Sequence, residues 1–325
     1  MSNIKYPLYN SQFGENEIKI IRQVFMSGIL THGKYVEEFE EQFASFVGCQ
    51  FAIAVNSCTS ALYLCLEYNK RFHYSKTITI PSATFASVAN VIKHAGLNLR
   101  LADMISVGSA YYLLDDGNGD QIIDSAHQLE QDIYLQFPKS LMCFSFYPIK
   151  QLGGAEGGII ATNNGKAYNW LKKARSNGME RKGMFDWDYD VEFAGWKMNM
   201  TNVQAAILLS KLQQLNKINA YRKSIRDYYN LFFGLNNKSL HLYPVFLKHR
   251  NKFIKKMAEA DIQCSVHFKP IHWQTAYKVD YSLPYSNWWG NHEVSIPFHD
   301  GLTMQDLKYI TKKIEKYGNF ITYHK

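Results

Sequence analysis

Apolar residues in the first half of the chain alternate between helical spacing and short unbroken runs. Ile18, Ile21 and Phe25 mark one helix that Gly28 can end, and Val36, Phe39, Phe43 and Phe46 mark a second, closed by Gly48. Phe51-Ala-Ile-Ala-Val55 reads as a buried strand, and Ser57-Cys-Thr-Ser60 then offers hydroxyl caps to a helix through Ala61, Leu62 and Leu66. A strand is predicted over 77–80, stopped by Pro81, followed by a helix over about 84–95 and a strand over 97–102. Further short apolar strands fall at 111–114, 121–123, 141–146 and 157–161. This alternation argues an α/β fold with a mainly parallel sheet covered on both faces. From Thr201 a long helix carries Leu208, Leu212, Leu215 and Ile218 on one face. Beyond it, a strand at 240–246, a helix at 251–260, a strand at 263–268 and a helix at 303–316 describe a small α/β domain. The expected division is a large domain over 1–215, whose extreme N-terminus is free to pack on the small one, and a small C-terminal domain over 216–325.

The 325 residues, 46% of them hydrophobic, suffice for one large core and a second, smaller one. No apolar run approaches the roughly 20 residues of a membrane helix. The N-terminus lacks a signal-peptide core, which makes the cytoplasm the expected compartment. Cys49, Cys58, Cys65, Cys143 and Cys264 form no CxxC pair and no metal spacing, so they read as reduced thiols. The net charge of +8 is spread along the chain without a nucleic-acid motif. It fits either a solvated basic surface or attraction of an anionic substrate such as a nucleotide diphosphate. A nicotinamide-dependent dehydrogenase would fit the alternation, but no GxGxxG joins the first strand to a helix.

Candidate chemistry gathers around Lys150. It follows a strand ending in Ser145 and precedes Gly153-Gly-Ala-Glu-Gly-Gly158, while upstream the strand Gln121-Ile-Ile-Asp124 ends in a carboxylate, with His127 just beyond. Taken singly, each residue has an ordinary reading: Lys150 a surface amine, Asp124 a solvated strand-end acid, His127 a satisfied histidine, Phe85 core, Ser57 a helix cap. The joint order changes this. A hydroxyl helix cap, an aromatic after a Pro-terminated strand, a strand-end Asp and a Lys before glycines correspond to phosphate cup, stacking face, pyridine partner and Schiff-base amine. Those are the groups pyridoxal phosphate (PLP) requires.

With these motifs the chain resembles the DegT/DnrJ/EryC1/StrS family of sugar aminotransferases. The resemblance implies PLP fold type I, with an aspartate-aminotransferase-like large domain and a small C-terminal domain. Thr31-His-Gly-Lys-Tyr-Val-Glu-Glu-Phe-Glu40 resembles the family opening. Ser57-Cys-Thr-Ser-Ala-Leu62 resembles its phosphate cup, with Cys58 where a glycine is usual, and implies cofactor contacts from Ser57, Cys58, Thr59 and Ser60. Pro81-Ser-Ala-Thr-Phe85 implies that Phe85 stacks on the cofactor ring. Asp124-Ser-Ala-His127 places Asp124 at the pyridine nitrogen and His127 near the phenolic oxygen. Ser145-Phe-Tyr-Pro-Ile-Lys150 puts Ser145 on the phosphate and makes Lys150 the Schiff-base lysine. Gly195-Trp-Lys-Met-Asn-Met-Thr201 resembles the segment that reaches the neighbouring subunit's cofactor, through Lys197 or, preferably, Asn199. Val266-His-Phe-Lys-Pro-Ile-His272 resembles the turn beside the sugar, so His267 and His272 are implied substrate residues.

The family's chemistry implies a homodimer with shared sites that aminates a nucleotide-diphosphate-linked keto-sugar, L-glutamate being the donor. Neither a nucleic-acid nor a membrane partner is expected. Two departures stand out. The stretch between Asp103 and Asp124, where the family spends a further strand and helix, is short, and the segment around Leu240 is compressed. One rival is a sugar dehydratase of the same fold, whose members carry histidine where Lys150 stands. Another is a cofactor-poor binding or regulatory relative.

Overall fold

The computed structural model describes residues 4–10, 13–116, 120–183 and 187–323. Helices α1 (Glu15–Ser27) and α2 (Lys34–Val47) end at Gly28 and Gly48 as expected. In α1, however, Ile18 and Phe25 are 54% and 59% exposed while Val24 is buried, so its apolar stripe faces away from the core. The spacing identified the helix correctly but not the face it buries.

The chain continues through β1 (Phe51–Val55), α3 (Cys58–His73), β2 (Thr77–Ala83), α4 (Ala86–His94) and β3 (Asn98–Ile105). Next come β4 (Tyr111–Asp115), β5 (Gln121–Asp124), β6 (Ser140–Ser145), β7 (Gly158–Thr162) and α5 (Gly165–Ala174). A small hairpin, β8 (Met179–Arg181) with β9 (Tyr189–Val191), leads to α6 (Asn202–Leu212). The seven-stranded sheet has the order β1-β7-β6-β5-β4-β2-β3. It is mainly parallel in direction: β1, β6, β5, β2 and β3 point one way, and β7 and β4 point the other. Alternate residues of β1 show why both faces are covered. Ile53 and Val55 enter a core with α3, α4 and α5, whereas Ala52 and Ala54 enter one with α2 and α6.

The reversal of β4 follows from the shortened stretch. A parallel connection needs a dozen or more residues for its crossover. The links 106–110 and 116–120 are too short for that, so β4 pairs antiparallel with both β5 and β2. The strand expected at 111–114 is therefore present as β4, and among the described residues no helix stands between β3 and β5.

Three expectations need correction. Strand β2 does not stop at Pro81 but runs to Ala83, paired on its β3 side. On the other side β4 covers only Ile78 and Thr79, so beyond them the missing proline N–H leaves no ladder partner unserved. The long helix after Thr201 is two helices, α6 and α7 (Leu215–Phe233), separated at 213–214. The segment 263–268 is not a strand: it touches its neighbour in a single bridge, Ser265 to Ser295.

The remaining elements are β10 (Tyr243–Phe246), α8 (Arg250–Ala258), α9 (Pro284–His292), β11 (Glu293–Ile296) and α10 (Met304–Tyr317). A third core joins Ile225 and Tyr229 of α7 to β10, β11, α8 and α10. Tyr6 belongs to this core, its backbone bonded to Asp261 and Gln263 at 2.9 Å each. Among the described residues no helix is long and apolar enough to cross a membrane.

Candidate active site

The ends of β2, β5 and β6 and the first turn of α3 surround a cavity of about 400 Å³. Asp124, the last residue of β5, is 6% exposed and lies in its wall. Its Oδ1 accepts the Ala126 N–H at 2.9 Å and its Oδ2 accepts the Tyr111 hydroxyl at 3.0 Å. The Tyr111 oxygen is in turn 2.9 Å from Thr84 Oγ1. Burial pushes the Asp124 carboxyl up, against the opposing pull of the Ala126 N–H, Tyr111 and the charge of Lys150.

Lys150 stands on the turn after β6, where its N–H bonds the Tyr147 carbonyl at 2.9 Å. The turn closes tightly: a first side-chain carbon at Gly153 would lie 2.2 Å from the Pro148 carbonyl oxygen, so only glycine fits. Burial lowers the Lys150 amine to about 8, with the Asp124 charge resisting. Its Nζ is 3.4 Å from His241 Nε2. A histidine cluster surrounds it. His127 and His241 have ring centres 4.6 Å apart, and burial together with the Lys150 charge holds both well below the ordinary histidine range. His127 Nδ1 accepts the Gly108 N–H at 3.2 Å, so the neutral ring carries its proton on Nε2.

The first turn of α3 forms another part of the wall. Ser57 caps the helix, its Oγ accepting the Ser60 N–H at 3.1 Å, and Cys58 and Thr59 follow along the cavity. First-turn N–H groups have no partner within a helix, and the helix dipole makes this end attractive to an anion. Strand β7 approaches closely here: a first side-chain carbon at Gly158 would sit 2.4 Å from the Cys58 nitrogen. Gly158→Ala is therefore expected to lower stability by about 1–3 kcal/mol, measurable by urea unfolding. A wild-type midpoint would mean that the α3 terminus shifts freely. Ser145 lies in the wall as well, and Phe85, 57% exposed, flanks the cavity with its ring 5.5 Å from that of Phe268.

Several expected residues lie elsewhere. Ser60 turns away to donate to Asn56 Oδ1 at 2.6 Å. His272 lies outside the lining of this cavity, with Ser82 Oγ 2.6 Å from its Nδ1 and Asn287 Oδ1 2.8 Å from its Nε2. His267 is buried and lies outside the lining of this cavity, whereas its neighbour Phe268 belongs to it; the backbone N–H of His267 bonds Glu293 Oε2 at 2.7 Å. Lys197 and Asn199 bridge the backbones of Ser176 and Val55 outside this cavity. The Asn199 Oδ1 is buried and unpartnered among the described residues. Those residues also contain no cluster of His, Cys, Asp or Glu able to hold a metal.

The sequence reading passed over Tyr111, Thr84, Phe268 and His241. Nothing in Ser239-Leu-His-Leu-Tyr243 distinguishes His241 from core. Tyr111 had a usable signal, because an antiparallel hairpin closing through 116–120 places it opposite Asp124.

An open α/β sheet that brings a buried amine and a buried carboxylate to one cavity, beside a helix N-terminus, defines the class of PLP-dependent enzymes of fold type I. The chain belongs to the DegT/DnrJ/EryC1/StrS aminotransferase family, PLP-dependent enzymes acting on sugars, whose profile matches residues 11–111 and 138–315. The spore coat polysaccharide biosynthesis protein SpsC of Bacillus subtilis is 26% identical over 370 aligned residues, covering 93% of this chain and 94% of its own. A Campylobacter jejuni UDP-4-amino-4,6-dideoxy-N-acetyl-beta-L-altrosamine transaminase is 26% identical over 353, covering 91% and 93%. Helicobacter pylori PseC, an aminotransferase involved in pseudoaminic acid biosynthesis, superposes with a TM-score of 0.83 at 22% identity, over 96% of this chain and 99% of that one.

Proposed function

We propose that the chain moves an amino group from L-glutamate to the keto carbon of a nucleotide-diphosphate-linked deoxyhexose. The product would serve surface polysaccharide or glycoconjugate synthesis in the cytoplasm. The observation that carries this reading is that Lys150 and Asp124 share the wall of one cavity with the N-terminus of α3. Supporting it are the polysaccharide and UDP-sugar roles in the names of the two bacterial relatives and the basic net charge of +8.

The cavity fits PLP, because Ser57, Cys58 and Thr59 bring the first turn of α3 to its wall for a phosphate and Phe85 presents an exposed ring. When bound, that group supplies an aldehyde to carry nitrogen and a ring to accept electrons. The protein's own residues supply the rest. The N–H groups of Cys58 and Thr59, with the Ser57 and Ser145 hydroxyls, would hold the phosphate. Phe85 would cover the ring, Asp124 would hold a proton on the pyridine nitrogen, and His127 Nε2–H would donate to the phenolic oxygen. Lys150 Nζ, lowered to about 8, would take the proton from the donor carbon and return it. Lys150 stands where the dehydratase relatives carry histidine, and this favours amination. Incubation with PLP and L-glutamate should release 2-oxoglutarate and then aminate a nucleotide keto-hexose. Absence of 2-oxoglutarate from a PLP-loaded protein would overturn the reading.

The working unit in this proposal is a homodimer. The buried, unserved amide end of Asn199 is the kind of group that a neighbouring chain or its ligand completes. Mixing inactive Lys150→Ala chains with inactive Asn199→Ala chains should restore roughly a quarter of wild-type activity, since a two-fold dimer concentrates both lesions in one of its two sites. Failure to complement despite proven subunit exchange would count against Asn199, and a fully active monomer would exclude shared sites. We also propose that the domains divide near residue 215, where α6 gives way to α7 and the core changes.

A further inference from the structure

The reversed strand β4 brings a phenol to the catalytic carboxylate. Register pairs Tyr111 directly with Asp124, and the side chains meet on the cavity side of the sheet. The Tyr111 hydroxyl donates to Asp124 Oδ2 at 3.0 Å, and Thr84 Oγ1 stands 2.9 Å behind it. With the Ala126 N–H on Oδ1, each carboxylate oxygen has one fixed donor. A carboxylate offers about four acceptor positions, so one lobe of each oxygen remains for an incoming N–H. Tyr111 is also the last residue of the first stretch that the family profile matches, and 112–137 lie outside it. The hydrogen bond comes from β4, the strand that the short connections 106–110 and 116–120 reverse.

We propose that Tyr111 is a positioning residue for Asp124: held by Thr84, its hydroxyl fixes the rotation of the carboxylate and keeps it a charged partner for the group bound in the cavity. The catalytic consequence rests on the aminotransferase reading; the hydrogen bond itself does not. A donor to a carboxylate favours its charged form, so its removal raises the carboxyl's titration midpoint. Tyrosine and phenylalanine differ only by the hydroxyl, which makes Tyr111→Phe the direct probe, and Thr84→Val removes the next link.

The experiment titrates the Asp124 carboxyl carbon by NMR in the cofactor-free full chain labelled at aspartate, with Asp124→Asn assigning the signal. Tyr111→Phe should raise the midpoint by about one pH unit, and Thr84→Val should raise it less. Should Tyr111→Phe fail to fold, the Thr84→Val shift carries the test. In the PLP-loaded protein Tyr111→Phe should lower kcat for the glutamate half-reaction by about tenfold with KM for glutamate unchanged. An unmoved midpoint overturns the proposal whatever happens to the rate, because a tyrosine that only packs would lower stability evenly across pH. A shifted midpoint in a protein that transfers no amino group would leave the positioning intact and sink the aminotransferase reading instead.

Discussion

Lys150→Ala should leave the chain folded and reduce amino transfer by about 10²–10⁴-fold or more. The fold should survive because among the described residues the amine makes a single polar contact, to His241 at 3.4 Å, and removing a buried amine relieves its desolvation. The rate should not survive, because among the described residues no other amine lies in the wall of the cavity that holds Asp124. The cofactor's visible absorbance and the release of 2-oxoglutarate from glutamate are the measurements. Wild-type values for both would remove Lys150 from the chemistry. The pH dependence sharpens the test. The neutral amine is the nucleophile, and burial favours the uncharged form, lowering the amine from its ordinary range to about 8. Capture of PLP by the cofactor-free chain should therefore speed up as pH rises and level off above about 8. A rate still climbing at pH 10 would show Lys150 to be solvated.

Much of the site was legible because its parts lie at ends of elements. Strand ends and helix starts leave local marks: Ser57 before a run of Ala61 and Leu62, Asp124 after two isoleucines, Lys150 before glycines. What escaped depends on pairing between distant segments. Tyr111 reaches Asp124 only because β4 reverses, and Phe268 and His241 reach the site by packing of the C-terminal region against the sheet. His272, which a motif singled out, lies outside the cavity's lining, its ring nitrogens engaged by Ser82 and Asn287. In α1 the spacing was right and the face wrong, since periodicity cannot tell whether an apolar stripe meets its own core. The break between α6 and α7 was invisible for a related reason: Leu208, Leu212 and Leu215 enter the same core on both sides of it.

Asp124→Asn should keep the fold and some affinity for PLP but lose on the order of 10²-fold or more in rate. The substitution is nearly isosteric, and an amide oxygen can still accept the Ala126 N–H, so neither a cavity nor a lost turn would account for the loss. What disappears is the charge. A neutral amide cannot stabilise a protonated pyridine nitrogen electrostatically, and without that proton the ring accepts electrons poorly. The amide also brings an NH₂ group into a position now occupied by a carboxylate oxygen, so one of the two donors, Tyr111 or Ala126, must face it. Because burial raises the carboxyl above the ordinary range, the wild-type rate should itself fall on acidification as Asp124 takes up a proton, and that limb should vanish in the variant. The comparison to make is kcat for the glutamate half-reaction between pH 5 and 8, in wild type and Asp124→Asn, at saturating PLP. A variant within a few-fold of wild type across this range would make Asp124 a structural anchor for Tyr111 and Ala126 and would require another partner for the cofactor ring.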